Sequence, residues 1–420
     1  MKLSWGMKWA LLFALCIFSF SSICLAITTR FVVSLYSTKT IDHVSICDDP
    51  IHILITVCNG GNSNSERQSM LRYHEAVDLL ITIQRYGMEK SSINCTNIGN
   101  SIAIGEKIIV HIFTDDVITL TDQFLQTLPT SKLIDRLDVR VYAMPEPKSE
   151  QQNYDKFRKC ASSRLHATHL FEASIIGMEN GTEKTGDIPE KVLYLDTDTL
   201  VTTPLRGLWE SSSDMFQEHP NALFTMTQEC ILRWEMGDYY IHGGYAGENV
   251  TGADGNTHLV YTFPNGTCAG YNSGVLFAHL HRWQRNNFSD MVWEQELFAM
   301  RHNYEMRFGD QGILNAMAAR FPERLLELPC FWNMRIDSLE LCLPRYLENG
   351  GGILHMLHKN HGKFHRDWPA ATSLRRYLVR VNDTWRHDLV WKDNIYEDPD
   401  NAMFAKILQW LITNDTKLND

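Results

Sequence analysis

Short apolar runs alternate with amphipathic stretches along much of the chain, as expected for strands followed by helices. Apolar runs predict strands at residues 51–58, 107–113, 139–144 and 192–195, and helical spacing predicts helices over 70–86 and 161–174. The run at 192–195 is wholly apolar, which is typical of a strand covered on both faces in a parallel sheet. The alternation predicts a doubly wound α/β sheet.

The second half of the chain resumes this pattern after one irregular stretch. Residues 237–270 are rich in Gly, Tyr and Asn, which predicts a long loop or insertion over a binding face. Further elements are expected as strands at 273–277 and 353–357 and as helices at 288–300, 312–319 and 402–412. Neither an internal repeat nor a Pro-rich linker interrupts residues 51–420, so we predict one domain there.

The N-terminal segment is different, because Trp9 to Ile27 is predominantly apolar and carries no charge. At about 1.5 Å per residue this stretch approaches the roughly 30 Å thickness of a bilayer core. We predict a transmembrane signal-anchor at 9–29, a cytoplasmic tail at 1–8, a short stem at 30–50 and a luminal domain at 51–420. That is a single-pass type II protein of the Golgi or endoplasmic reticulum membrane. The alternative is a signal peptide cleaved after Ala26.

Two further features agree with a secretory compartment. Seven glycosylation sequons begin at Asn94, Asn180, Asn249, Asn265, Asn287, Asn382 and Asn414. Ten cysteines are present, of which eight follow the apolar segment, and an even number suits disulfides. Cys330 and Cys342 are close in sequence and are the pair we expect first. The net charge of −11 excludes a broad basic surface, so a nucleic-acid partner is not expected.

The strongest chemical signal is an acidic pair at the end of the apolar run at 192–195. Asp196 and Asp198 follow it, at the strand end where open α/β sheets bind ligands. If the strand continues, its alternation places both carboxylates on one side. Two carboxylates form a hard oxygen site for a divalent cation, which can hold a nucleotide diphosphate. A turn or helix cap is the alternative.

A histidine-rich segment near residue 360 supplies possible partners for this pair. It contains His355, His358, His361 and His365, with Lys359 and Lys363 around Gly362. A histidine can complete an Asp/Asp site for Mn²⁺, and a lysine beside a flexible glycine can neutralise a phosphate. A structural histidine is the plainer interpretation of each one.

Two more polar groups stand at predicted element boundaries. Asp310 is expected to cap a helix whose first turn holds Gln311. Asn272 enters the strand at 273–277 and is either a turn residue or a polar contact to a sugar.

Taken in their order along the chain, the first strand, the acidic pair, the segments at Asn272 and Asp310 and the histidine-rich segment resemble glycosyltransferase family 8. The resemblance extends over about residues 51–368. Within it, the stretches 156–165 and 328–333 resemble the glucoside xylosyltransferases. The resemblance implies a GT-A type fold, which is a Rossmann-like doubly wound mixed sheet. It also implies retaining transfer of xylose from UDP-xylose, in α1,3 linkage, onto O-linked glucose of EGF-like repeats. The partners are then a nucleotide-sugar donor and a glycoprotein acceptor.

The resemblance also assigns roles to residues. Asp196, Asp198 and His358 are the expected Mn²⁺ ligands, with His355 as the competing histidine. Lys363 and Gly362 are expected at the diphosphate and Arg164 at the nucleotide-sugar. Val57, Cys58 and Asn59 are expected near uracil, and Asn272, Asp310 and Gln311 around the reacting sugar. The family often has His-x-x-Gly-x-x-Lys-Pro-Trp at its closing segment, whereas Gly362 directly precedes Lys363 here.

Other functions remain open at this point. Another family 8 specificity would use a glucose, galactose or glucuronate donor. A protein of a different class would be a non-catalytic luminal carbohydrate-binding protein on the same fold.

Overall fold

The computed structural model describes residues 50–58, 66–88, 96–97, 100–101, 107–124, 137–145, 162–178, 188–228, 248–251, 257–260, 270–301, 310–335, 339–355, 374–375, 377–379 and 399–417. All of them lie in one compact unit, Pro50–Asp420. Among these residues no helix is long and apolar enough to cross a bilayer. The predicted segment at 9–29 lies outside the described ranges.

The described part of the chain contains fourteen strands and eight α-helices. The strands are β1 (Ile51–Val57), β2 (Thr96–Asn97), β3 (Asn100–Ser101), β4 (Ile108–Thr114), β5 (Leu137–Ala143), β6 (Val192–Leu195), β7 (Thr199–Val201), β8 (Phe224–Gln228), β9 (Glu248–Thr251), β10 (Thr257–Val260), β11 (Tyr271–Ala278), β12 (Leu325–Leu328), β13 (Met334–Arg335) and β14 (Ile353–His355). The helices are α1 (Glu66–Thr82), α2 (Ala167–Met178), α3 (Arg206–Glu218), α4 (Leu280–Arg285), α5 (Phe288–Arg301), α6 (Asp310–Arg320), α7 (Leu339–Glu348) and α8 (Pro399–Lys417).

A seven-stranded sheet in the order β12-β8-β11-β6-β1-β4-β5 forms the centre of the molecule. Strands β6, β1, β4 and β5 run parallel to one another, whereas β11 is antiparallel to both β6 and β8. The sheet is therefore mixed. Every residue of β4 and of β6 is buried, which explains their continuous apolar runs.

Helices cover both faces of the sheet. One apolar cluster joins α1 and α3 to the side chains of alternate β1 residues, including Ile53 and Ile55. The other joins α2, α4, α5 and α6 to the opposite face, where Leu54 and Leu276 lie. The predicted α/β class and the doubly wound arrangement are confirmed.

A smaller three-stranded sheet, in the order β13-β14-β7, lies beside the carboxyl end of β6. Strand β14 pairs antiparallel with β7, so that His355 is opposite Thr199. This pairing brings a C-terminal strand next to the Asp196–Asp198 segment. The predicted Cys330–Cys342 disulfide is confirmed, and it joins the residues around α7 to the turn before β13.

Most predicted elements occur, with boundaries shifted by a few residues. Helix α1 begins at Glu66 and continues into a π-helical turn that ends at Gly87, where a stop was predicted. Within 237–270, two described segments form the antiparallel pair β9–β10, so that region is not loop alone. Elements α3, β8, β12 and α7 were not predicted.

Candidate active site

The two aspartates lie in a tight turn and not on a continuing strand. Strand β6 ends at Leu195, and the Asp196 carbonyl accepts hydrogen bonds from the Thr199 amide (3.1 Å) and the Thr199 hydroxyl (2.7 Å). The expectation of strand alternation was therefore wrong. Both carboxylates reach one place because the turn folds back into β7.

A histidine completes this group, and it is His355. Its Nε2 atom lies 3.3 Å from Asp198 Oδ1 and 3.7 Å from Asp196 Oδ2. The three ligand atoms all lie within 4.8 Å of one another, and the Asp198 and His355 side chains are buried. The other candidate, His358, lies outside the described residues, as do Gly362, Lys363 and Asn59.

A divalent cation fits this set of side chains. His355 Nε2 is buried and makes no hydrogen bond, although it faces two carboxylates. A neutral imidazole nitrogen with its lone pair directed at anionic oxygens is unfavourable unless a proton or a metal ion lies between them. Two carboxylate oxygens and one imidazole nitrogen suit Mn²⁺ and similar ions.

Asp196 is held in place by groups on its other oxygen. Its Oδ1 accepts a hydrogen bond from the Tyr194 hydroxyl at 2.8 Å and lies 3.2 Å from an Arg164 nitrogen. Its Oδ2 therefore remains the oxygen that faces His355. Tyr194 was not predicted as a site residue, but its position two residues before Asp196, at the end of the same strand, is the signal that would have found it.

Arg164 connects the acidic turn to helix α6. Its Nε lies 2.5 Å from Asp310 Oδ2, another of its nitrogens donates to the Ser273 carbonyl at 2.6 Å, and its guanidinium lies 4.4 Å from the Tyr194 ring centre. Burial disfavours the charged guanidinium, but Asp196 and Asp310 hold the Arg164 pKa above its ordinary value. Its predicted contact with a nucleotide-sugar stays a prediction.

The residues predicted around the reacting sugar lie together on the other side of Arg164. Asp310 and Gln311 open helix α6, and the Gln311 amide oxygen lies 3.4 Å from the Asn272 side-chain nitrogen. Burial raises the pKa of Asp310 to about 6; Arg164 opposes this shift and Asp196 adds to it. Asp310 is buried and Gln311 is partly exposed.

Val57 and Cys58 lie buried at the carboxyl end of β1, and Cys58 is disulfide-bonded. Strands β1 and β6 are parallel neighbours, so these residues and the acidic turn follow adjacent strand ends. Their proximity to uracil stays a prediction.

Two contributors to the site lie far from the acidic turn in sequence. Glu75 of α1 accepts a hydrogen bond from the Thr197 hydroxyl at 3.3 Å, and Asn333 contacts His355 at 2.9 Å. Glu75 has no recognisable local signal. Asn333 was noted only within the stretch 328–333 that carries the family resemblance.

Comparison with known proteins finds a family that part of this chain resembles. Residues 187–358 match the model of glycosyl transferase family 8. Mouse glucoside xylosyltransferase 1 is 26% identical over 271 residues, covering 61% of this chain and 56% of that protein. Glucoside xylosyltransferase 2 of Xenopus laevis is 24% identical over 313 residues, covering 72% and 63%.

The chain thus spans less than two thirds of the length of these two relatives. The solved apo structure of mouse xyloside xylosyltransferase 1 is 15% identical with a TM-score of 0.45, covering 73% of this chain and 97% of that one. The expected resemblance to glycosyltransferase family 8 is confirmed over residues 187–358, and this stretch contains Asp196, Asp198 and His355.

Proposed function

We propose that the protein is a retaining, Mn²⁺-dependent transferase of GT-A type that moves xylose from UDP-xylose onto O-linked glucose of EGF-like repeats, in α1,3 linkage. The observation that carries the metal-dependent transfer is the buried His355 Nε2, without a hydrogen bond, facing Asp196 and Asp198. The relatives are named glucoside xylosyltransferases, which supports xylose as the transferred sugar and a glucoside as the acceptor.

In this proposal Asp196, Asp198 and His355 would hold the metal ion. The bound ion would neutralise negative charge on the departing UDP. Lys363, which follows Gly362, is proposed to do the same at the diphosphate.

The geometry around Asp310 bears on how the configuration is retained. Asp310 Oδ2 is bound to Arg164, and its side chain is buried, so this oxygen is poorly placed to attack a sugar carbon. Gln311 is more exposed, but an amide oxygen is a poor nucleophile. We therefore favour front-side attack by the acceptor hydroxyl, whose proton passes to the leaving phosphate.

The placement of the protein is part of the proposal. The apolar segment at 9–29 would anchor it in the Golgi or endoplasmic reticulum membrane, with residues 51–420 in the lumen. The Cys330–Cys342 disulfide and the exposed side chain of Asn287, which begins a sequon, agree with an oxidising and glycosylating compartment. A loss of mass on treatment with an N-glycosidase, and resistance to alkaline extraction from membranes, are the expected results.

The test of the activity measures UDP release by the full-length chain from UDP-xylose with Mn²⁺, with and without a glucosylated EGF-like repeat. We expect release that the acceptor stimulates and that EDTA abolishes. Release only from UDP-glucose, UDP-galactose or UDP-glucuronate would replace the donor. No release from any of them by folded protein would favour a carbohydrate-binding protein.

A further inference from the structure

His355, the histidine beside Asp196 and Asp198, is held by a chain of hydrogen bonds that begins on strand β11. The Gly274 amide donates to Asn272 Oδ1 at 2.9 Å, and Asn333 Nδ2 donates to the same oxygen at 2.8 Å. Asn333 Oδ1 then lies 2.9 Å from His355 Nδ1. Both asparagines and the histidine are buried.

The direction of every bond in this chain follows from its first member. A backbone amide only donates, so the Asn272 atom that it meets is the oxygen. The Asn333 atom facing that oxygen must be a donor and is therefore its nitrogen. The remaining Asn333 atom is an oxygen that only accepts, so His355 Nδ1 carries a proton. In the neutral ring, Nε2 then has a lone pair, and Nε2 is the atom that faces Asp196 and Asp198.

We infer that Asn333 is a positioning residue that sets the tautomer and orientation of His355 for metal binding. The inference rests on the proposed metal site. Metal-binding histidines generally donate their second nitrogen to a protein acceptor, and loss of such an acceptor typically weakens metal binding about 10–100-fold. Here the acceptor is an amide whose own orientation is set by the backbone of β11.

The same strand also provides the space that the imidazole occupies. A Cβ atom added at Gly274 would lie 2.6 Å from His355 Nδ1 and 2.7 Å from Nε2, which is closer than atoms approach without displacement. The imidazole therefore lies directly against the backbone at Gly274. A side chain at this position would push the ring away from the carboxylates without altering any hydrogen-bonding group.

The experiment measures Mn²⁺ affinity of the full-length chain in the presence of UDP, by electron paramagnetic resonance of free Mn²⁺, together with thermal unfolding. We expect Asn333→Ala to weaken Mn²⁺ binding about 10–100-fold. Asn333→Asp keeps an oxygen that accepts from Nδ1 but replaces the donor to Asn272 Oδ1 by an oxygen, so it should bind Mn²⁺ more tightly than Asn333→Ala and more weakly than the wild type.

Gly274→Ala provides an independent variant should Asn333→Ala not fold, and it should weaken Mn²⁺ binding to a similar degree. Its matched control is Gly207→Ala, because a Cβ at Gly207 meets nothing within 4 Å. Wild-type affinity in Asn333→Ala, or equal losses in Asn333→Ala and Asn333→Asp, would overturn the positioning role alone. Absence of Mn²⁺ binding in the wild type would overturn the proposed metal site as well.

Discussion

Two buried histidines on different strands of this protein have opposite surroundings. His111, in the middle of β4, has partners on both ring nitrogens: His52 Nδ1 lies 3.0 Å from its Nε2, and the Tyr142 hydroxyl lies 3.2 Å from its Nδ1. His355, at the end of β14, has a hydrogen bond on Nδ1 only, and its Nε2 faces two carboxylates.

The difference separates a histidine of the core from a candidate ligand. Burial is the main cause that lowers the pKa of His111 to about 3, and the charges of His52 and Arg140 add to it, so His111 is neutral in the folded protein. Its ring stacks on Tyr142 and meets Phe171 edge-on, which completes its packing. The two rings are about equally buried, so incomplete hydrogen bonding, and not burial, is what marks His355 as the candidate ligand.

The largest expected effect comes from removing the cation that balances the acidic site. Arg164→Met leaves the buried Asp310 and the nearby Asp196 without their partner, and breaking such a buried pair costs about 3–5 kcal/mol of unfolding free energy. Urea unfolding at neutral pH measures this loss. The double variant Arg164→Met with Asp310→Asn should recover part of it, and a double variant as unstable as the single would contradict the ion-pair explanation.

Removal of a proposed metal ligand tests the other half of the same site. Asp198→Asn keeps the shape of the side chain but removes its charge, so we expect Mn²⁺-dependent release of UDP to fall at least about 100-fold with little change in thermal stability. The control is Asp138→Asn, because Asp138 lies on β5, the strand that pairs with the strand of His111. This change should leave UDP release unchanged. Turnover by Asp198→Asn at the wild-type rate would remove Asp198 from the metal site.

The neutral histidine of β4 predicts how stability depends on pH. Folding lowers the His111 pKa from 6.5 to about 3. The unfolding free energy is therefore fully retained, as far as His111 is concerned, above pH 6.5, and it decreases as the pH falls toward 3. Between pH 7.5 and pH 5 this amounts to about 2 kcal/mol, at 1.36 kcal/mol per pH unit. Over that pH range the unfolding free energy of His111→Phe should therefore fall by about 2 kcal/mol less than that of the wild type. Urea unfolding measures both values. Parallel pH profiles would contradict the assignment.

The smallest effect is expected at the exposed rim of the His111 cluster. Asp138 pairs with Arg140 at 2.7 Å, but both side chains are substantially exposed to solvent, Asp138 at 34% and Arg140 at 41%. Exposed pairs contribute about 0.2–1 kcal/mol, so Asp138→Asn should change the unfolding free energy by no more than about 1 kcal/mol. A loss comparable with that of Arg164→Met would mean that exposure does not separate the two ion pairs.

Much of this protein follows from local sequence. Apolar runs and helical spacing determine most strands and helices, because side chains must alternate in a strand and recur near 3.6 residues in a helix. The position of Asp196 and Asp198 after a wholly apolar strand is likewise a local feature, and it places them at a ligand-binding edge of the sheet.

The tertiary structure decided which side chains complete the site. His355 reaches the aspartates because β14 pairs with β7. Asn333, directly before β13, and Gly274, on β11, lie against His355 from outside that strand pair. The family resemblance favoured His358, which lies outside the described residues, with His355 as the competing histidine. The tautomer inferred for His355 depends on its hydrogen bond to Asn333, 22 positions away, and on the bond from Asn333 to Asn272, 61 positions away. A local pattern carries no information about such contacts.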